Sequence, residues 1–155
     1  MAAAATLEEG TRLFLIPVDG GGPTRLLDSA SYNPVWSPDG QFILYSEPVS
    51  GSNMVVKAVT RTRAAVPMPR IVVPYTWATP YRFVPGRKIL IFLKDTSFRN
   101  RNFYWMDLET GGERQLTDLK PGVLIESFDV SLDGQQIIFD RHKENADVVL
   151  LDLPR

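Results

Sequence analysis

The sequence predicts an all-β fold made of repeated four-stranded antiparallel sheets, and three observations carry that prediction. VWSPDGQFILY at 35–45, RFVPGRKILIF at 82–92 and DVSLDGQQIIF at 129–139 superimpose at a fixed step of 47 residues, so that Trp36, Phe83 and Val130 correspond, as do Tyr45, Phe92 and Phe139. The apolar segments are short, rich in β-branched and aromatic residues, and bounded by Gly, Pro, Asn and Asp, which is the pattern of strands joined by tight turns. No stretch shows a convincing helical pattern. A repeat of roughly 20 to 50 residues marks a solenoid, propeller or array, whose units bury their apolar faces only against one another. Four strands per unit of about 45 residues describe a β-propeller blade.

The elements follow in chain order. Residues 1–11 read as a flexible leader, and RLFLIPVDGGGPTRLL over 12–27 reads as the outer half of a blade. Its counterpart is NFYWMDLETGGERQLT at 102–117, with Gly21-Gly22 matching Gly111-Gly112 at nearly two repeat lengths. A first full blade is expected over 32–75, a second over 79–117, and a three-stranded last blade over 125–153. Each opens on an inner strand ending at Trp36, Phe83 or Val130. Ser37-Pro38-Asp39-Gly40 then turns the chain: Pro presets φ, Asp bonds nearby backbone, and Gly accepts positive φ. Val84-Pro85-Gly86-Arg87 suits a type II turn instead, and Ser131-Leu132-Asp133-Gly134 keeps Asp and Gly without the Pro.

Second strands are expected at about 41–46, 88–94 and 135–140, third strands at about 53–59, 102–108 and 147–153, and fourth strands at about 71–75 and 113–117. The run Ile89-Leu90-Ile91-Phe92-Leu93 is apolar throughout, so its strand should be covered on both faces. TRTRAAVPMPR at 60–70 is expected as a long exposed hairpin loop or an irregular edge.

Composition narrows the function classes. With 17 basic and 18 acidic residues among 155, the formal net charge is −1, and no global field draws the chain to nucleic acid or to an anionic membrane. The absence of cysteine excludes disulfides, thiolate nucleophiles and cysteine-ligated metal. No apolar run approaches the ~20 residues of a membrane span, and MAAAATLEEG lacks the basic and apolar regions of a signal peptide. Periplasmic and cytoplasmic locations both fit.

The WSPDG turn followed by an apolar strand, and DLETGGERQLT closing a unit, resemble the TolB-type propeller repeats. Such repeats occur in bacterial TolB proteins, in the propeller domains of prolyl-oligopeptidase-like enzymes, and in the C-terminal sensor-like half of some bacterial winged-helix regulators and serine/threonine kinases. The resemblance spans about residues 12–153 and implies architecture more than activity, since one fold hosts many functions. The middle turn departs from the pattern by lacking Asp-Gly. About three blades are present, whereas closed propellers have roughly four to eight. Either the chain is a piece of a longer one, its mid-blade start pointing to a missing N-terminal portion, or two copies complete each other's blades in a six-blade homodimer.

Propeller geometry sorts the loops into two rims. Second-to-third-strand loops and the links between blades share the rim on which propellers of this kind usually bind. Here that rim is built from 28–32, 46–52, 75–80, 94–102, 118–124 and 141–146. Tyr75 and Trp77 offer an aromatic platform on it, and KDTSFRNRNFYW adds Lys94, Phe98, Arg99 and Arg101, basic groups interleaved with aromatics that suit a carboxylate or phosphate. Arg141 completes the candidate partner-binding set. Arg82 and Asp129 occupy equivalent positions and are expected side by side as an ion pair toward the central channel.

His142 is the single histidine, which excludes a multi-histidine metal site and leaves no triad partner for a nucleophile. It is expected to be an ordinary surface residue. Neither catalytic residues nor a cofactor are expected. The sequence reading is therefore a non-catalytic module that binds a protein or peptide, as the sensor or interaction part of a larger bacterial protein or as a homodimer. An accessory propeller that gates substrates for a prolyl-oligopeptidase-like serine peptidase is the alternative.

Overall fold

A computed structural model describes residues 2–7, 10–76, 78–97, 100–120 and 122–143, and all its regular elements are strands. Strands β1 (Ala2–Leu7), β2 (Gly10–Leu15) and β3 (Thr24–Arg25) form a first antiparallel sheet. Strands β4 (Tyr32–Trp36), β5 (Phe42–Pro48), β6 (Asn53–Thr60) and β7 (Ala65–Pro74) form a four-stranded meander. The third sheet holds β8 (Tyr81–Phe83), β9 (Ile89–Ser97), β10 (Asn100–Asp107) and β11 (Glu113–Gln115). It is extended by β12 (Val123–Leu124), and β13 (Phe128–Val130) and β14 (Ile137–Phe139) form a fourth sheet. Finally β15 (His142–Lys143) returns to pair with β12. We call the four sheets blades A to D.

Sheet packs on sheet through three apolar seams. Between blades A and B lie Leu13, Leu26, Ile43, Tyr45 and Val59, with half-buried Trp36 against them. Between B and C lie Leu44, Met54, Val56, Ile71, Val73, Phe83, Leu90, Phe92 and others, and between C and D lie Val84, Ile91, Leu93, Phe103, Ile125 and Phe128. The reason one strand serves two seams is the pleat: successive side chains leave a strand on opposite faces. Thus Leu90 and Phe92 of β9 face blade B while Ile91 and Leu93 face blade D, which is why that run is apolar at every position.

The hairpin turns show how sequence sets local geometry. Ser37 Oγ donates to Asp39 Oδ1 at 2.7 Å, the amide of Gln41 donates to the same carboxylate at 3.0 Å, and that of Phe42 donates to Ser37 Oγ at 3.0 Å. Ser131, Asp133, Gln135 and Gln136 repeat this set at 2.5, 3.0 and 2.9 Å. Gly40 and Gly134 carry the positive φ just after the turn, at 68° and 70°. In the middle copy the positive φ, 67°, moves one place earlier to Gly86, where a type II turn requires it.

Two sequence expectations change and a third narrows to one of its alternatives. Residues 2–7, expected in a flexible leader, are strand β1, paired with β2 from Ala2↔Leu15 to Leu7↔Gly10. Alanine has little preference for strands, but the open edge of β2 supplies a row of backbone donors and acceptors that a neighbouring chain satisfies. Of the two alternatives for 60–70, the irregular edge holds over 65–70, which begin the edge strand β7. Pro67 and Pro69 fit because β7 is an edge strand whose register slips opposite Val56 and Ala58, so the missing N–H groups break no ladder. The 118–124 link, expected as loop, contains β12, whose one parallel bridge, Asn100↔Val123, ties it to blade C. The expected third strand of the last blade, 147–153, lies outside the described residues.

Candidate functional site

Blade links and second-to-third-strand turns are stitched together by side-chain and backbone hydrogen bonds. Ser29 Oγ donates to Glu47 Oε1 at 2.9 Å, and the amide of Tyr75 donates to the carbonyl of Ser52 at 2.9 Å. Beneath them runs a polar network that the repeat pattern did not reveal. Asn33 adopts φ 53°, a left-handed conformation that Asn tolerates better than most residues. Its carbonyl accepts the buried Tyr81 hydroxyl at 2.6 Å, its side-chain oxygen accepts Ser46 Oγ at 2.9 Å, and its amide donates to the carbonyl of Ala78 at 3.3 Å. Burial pushes the Tyr81 phenol well above its ordinary range, so the hydroxyl stays a donor. The available signal was Ser46, a polar residue in a position that Leu93 fills in the next repeat.

The candidate rim residues divide by what holds them. Tyr75 is 47% exposed, with its ring edge-on to Tyr32 at 6.2 Å between centroids. Lys94, on β9, reaches over the outer strands of blade C, bonded to Glu113 at 2.7 Å and 4.9 Å from the Tyr104 ring centre. Arg101 points inward: Nε meets Asp95 at 3.2 Å and Nη1 donates to the carbonyl of Ile125 at 3.0 Å. It thereby braces blade C against the segment leading into blade D. Arg141 is exposed. Trp77, Phe98 and Arg99 lie outside the described residues. A depression of about 320 Å³ brings Ser52, Asn53, Pro74, Lys94 and Asp95 together, next to Tyr75, which directly follows β7.

On the inner strands Arg82 Nε lies 3.7 Å from Asp129 Oδ1, with side chains 28% and 73% exposed. Arg82 Nη1 also donates to the carbonyls of Tyr81 and Thr79, and the guanidinium lies 5.7 Å from the Phe128 ring centre. A pair this wet contributes about 0–1 kcal/mol. Its geometric effect is to align inner strands β8 and β13. Among the described residues no group of three or more His, Asp or Glu stands close enough to hold a metal ion.

With this geometry in hand, solved structures provide the comparison. TolB from Acinetobacter baumannii superimposes with a TM-score of 0.64 at 23% identity, over 84% of this chain and 32% of that one. A TolB candidate from Agrobacterium tumefaciens gives 0.57 at 18% identity, over 78% of this chain and 46% of that one. The fold is that of TolB propellers. The chain thus spans about a third to under half of the length of these TolB structures, in keeping with a partial propeller. No protein-family profile matches the sequence, and no curated protein matches it either.

Proposed function

We propose that the chain is a non-catalytic binding module that captures a protein or peptide on the rim formed by the β5–β6 turn, the end of β7 and the end of β9, as the interaction part of a larger bacterial protein. The observation that carries this reading is the depression between Asn53, Pro74 and Lys94 beside exposed Tyr75. It combines an aromatic face, a cation and polar groups, the mixture that interfaces favour around an aromatic anchor. The TolB likeness supports the propeller scaffold and a bacterial setting.

The test compares partner capture by the wild-type chain with that by a Tyr75→Ala, Lys94→Ala, Arg141→Ala triple variant, with folding checked by circular dichroism. Loss of captured partners from a folded variant supports this rim. An unchanged capture profile sinks it.

A second reading, association of two copies that complete each other's blades, is favoured by blade D, where Leu132 and Ile138 stay 93% and 75% exposed. Light scattering decides it. A mass of about twice 17.4 kDa supports the pairing, whereas a monomer at all concentrations removes it.

A further inference from the structure

The opposite rim, where inner-strand turns meet third-to-fourth-strand turns, carries a groove. It lies in the seam between blades A and B, has a volume of about 430 Å³, and is lined by Leu15, Pro17, Val18, Thr24, Trp36 and Arg61. Three independent features distinguish it. Trp36 stands where the later repeats have Phe83 and Val130, and it is only half-buried. The Arg61 guanidinium lies over its ring, 4.7 Å from the centroid. Val18, on the long β2–β3 turn, is 90% exposed at the lip.

The backbone that carries this cation is braced. Arg61 sits in a turn closed by the Thr60 amide donating to the Ala64 carbonyl at 2.9 Å and by the Ala64 amide donating to Thr60 Oγ1 at 3.1 Å. Arg63, with φ 68°, reaches across to blade A, where Nη2 donates to the carbonyl of Arg25 at 2.9 Å. The two walls are therefore tied together before anything binds. A guanidinium stacked on an aromatic face keeps its N–H edge free for planar, bidentate bonding to a carboxylate. Arg61 makes no ion pair among the described residues. Oδ1 of the nearby Asp39 carboxylate accepts from Ser37 Oγ and the Gln41 amide.

We propose that this seam is a second docking site, for an extended peptide segment that places an aliphatic side chain on Leu15, Pro17 and Val18 and an adjacent carboxylate on Arg61. The occupant follows from complementarity: an apolar floor selects the side chain, and an unpaired, pre-positioned cation at its edge selects the acid. The volume suits one or two side chains. Both walls belong to blades already packed together. It is also separate from the Tyr75 rim.

The experiment titrates ¹⁵N-labelled full chain with the peptides acetyl-Gly-Leu-Glu-Gly-amide and acetyl-Gly-Leu-Gln-Gly-amide, following backbone amides and the Trp indole signals. The Glu peptide is expected to shift Val18, Thr24 and one indole saturably, with a dissociation constant of about 1 mM or tighter, and the Gln peptide to bind about tenfold more weakly. Arg61→Gln should remove the difference between the peptides, and Val18→Asp should weaken both. Tyr75→Ala should leave these shifts unchanged, which separates this site from the rim proposed above. Absence of saturable shifts, equal binding of the two peptides, or a preference for Glu that survives Arg61→Gln overturns the proposal. Arg61, Val18 and Tyr75 are all exposed, and the unshifted amides of β9 report that each variant is folded.

Discussion

The seams on the two sides of blade B are built from the same repeat yet differ in character. The seam with blade C is thick and closed: Phe83 is buried, its ring edge-on to Phe42 at 6.1 Å, and Phe92 and Leu90 complete a continuous apolar layer. The seam with blade A is thinner, and it opens at one rim where Trp36 replaces phenylalanine and Arg61 covers the ring. One repeat position thus yields a structural plug in one seam and a lined groove in the other. The lesson is that substitutions at corresponding repeat positions, rather than motifs, separate scaffold from candidate surface.

Truncating the closed seam should have the largest effect. Phe92→Ala is expected to lower stability by about 3–5 kcal/mol, read as a shifted midpoint in chemical denaturation. Leu13→Ala in the thinner seam should cost about 2–3 kcal/mol, the low end for such truncations. A loss equal to that of Phe92→Ala would show that blade A is gripped as firmly as blade C. Tyr81→Phe comes next: it leaves the Asn33 carbonyl without its buried donor, and a loss of about 1–2 kcal/mol is expected in thermal or urea melts. No loss would show that water replaces the phenol.

The smallest effect concerns the turns. Hydrogen bonds from Ser37 and Gln41 hold the Asp39 carboxyl below its ordinary value, and those from Ser131 and Gln135 do the same for Asp133. A carboxyl lowered by folding contributes stability above its unfolded value of 3.8, and that contribution fades as pH falls through the lowered folded value. Wild-type melts between pH 5 and pH 2 should therefore fall more steeply than those of an Asp39→Asn, Asp133→Asn variant. Parallel curves would show that these turns add nothing pH-dependent. The middle turn, Val84–Arg87, has no carboxylate at the matching place and serves as the built-in contrast.

Much of the fold was legible because it follows from local rules. The apolar run at Ile89–Leu93 announced a strand covered on both faces, and Pro85-Gly86 announced the type II turn. What escaped was set by pairing rather than propensity. Ala2–Leu7 becomes a strand because β2 offers it an edge, and Val123–Leu124 does so through one bridge to Asn100 and its pairing with β15. Side-chain direction was likewise hidden. Arg101 reads as a rim cation in sequence, yet it turns inward to the Ile125 carbonyl, and the Asn33, Ser46 and Tyr81 network joins residues up to 48 apart in the chain.

The pleat of β9 has a further consequence. Because its alternate side chains belong to two different seams, neither blade C nor its neighbours constitute a unit of stability, and the energetically meaningful period is shifted by half a blade from the repeat written in the sequence. In the language of linear arrays, each such seam is a nearest-neighbour coupling that adds to the intrinsic term of each repeat. Damage to β9 should therefore propagate in both directions along the array, while equal damage to the terminal β1–β3 sheet should stay where it is made.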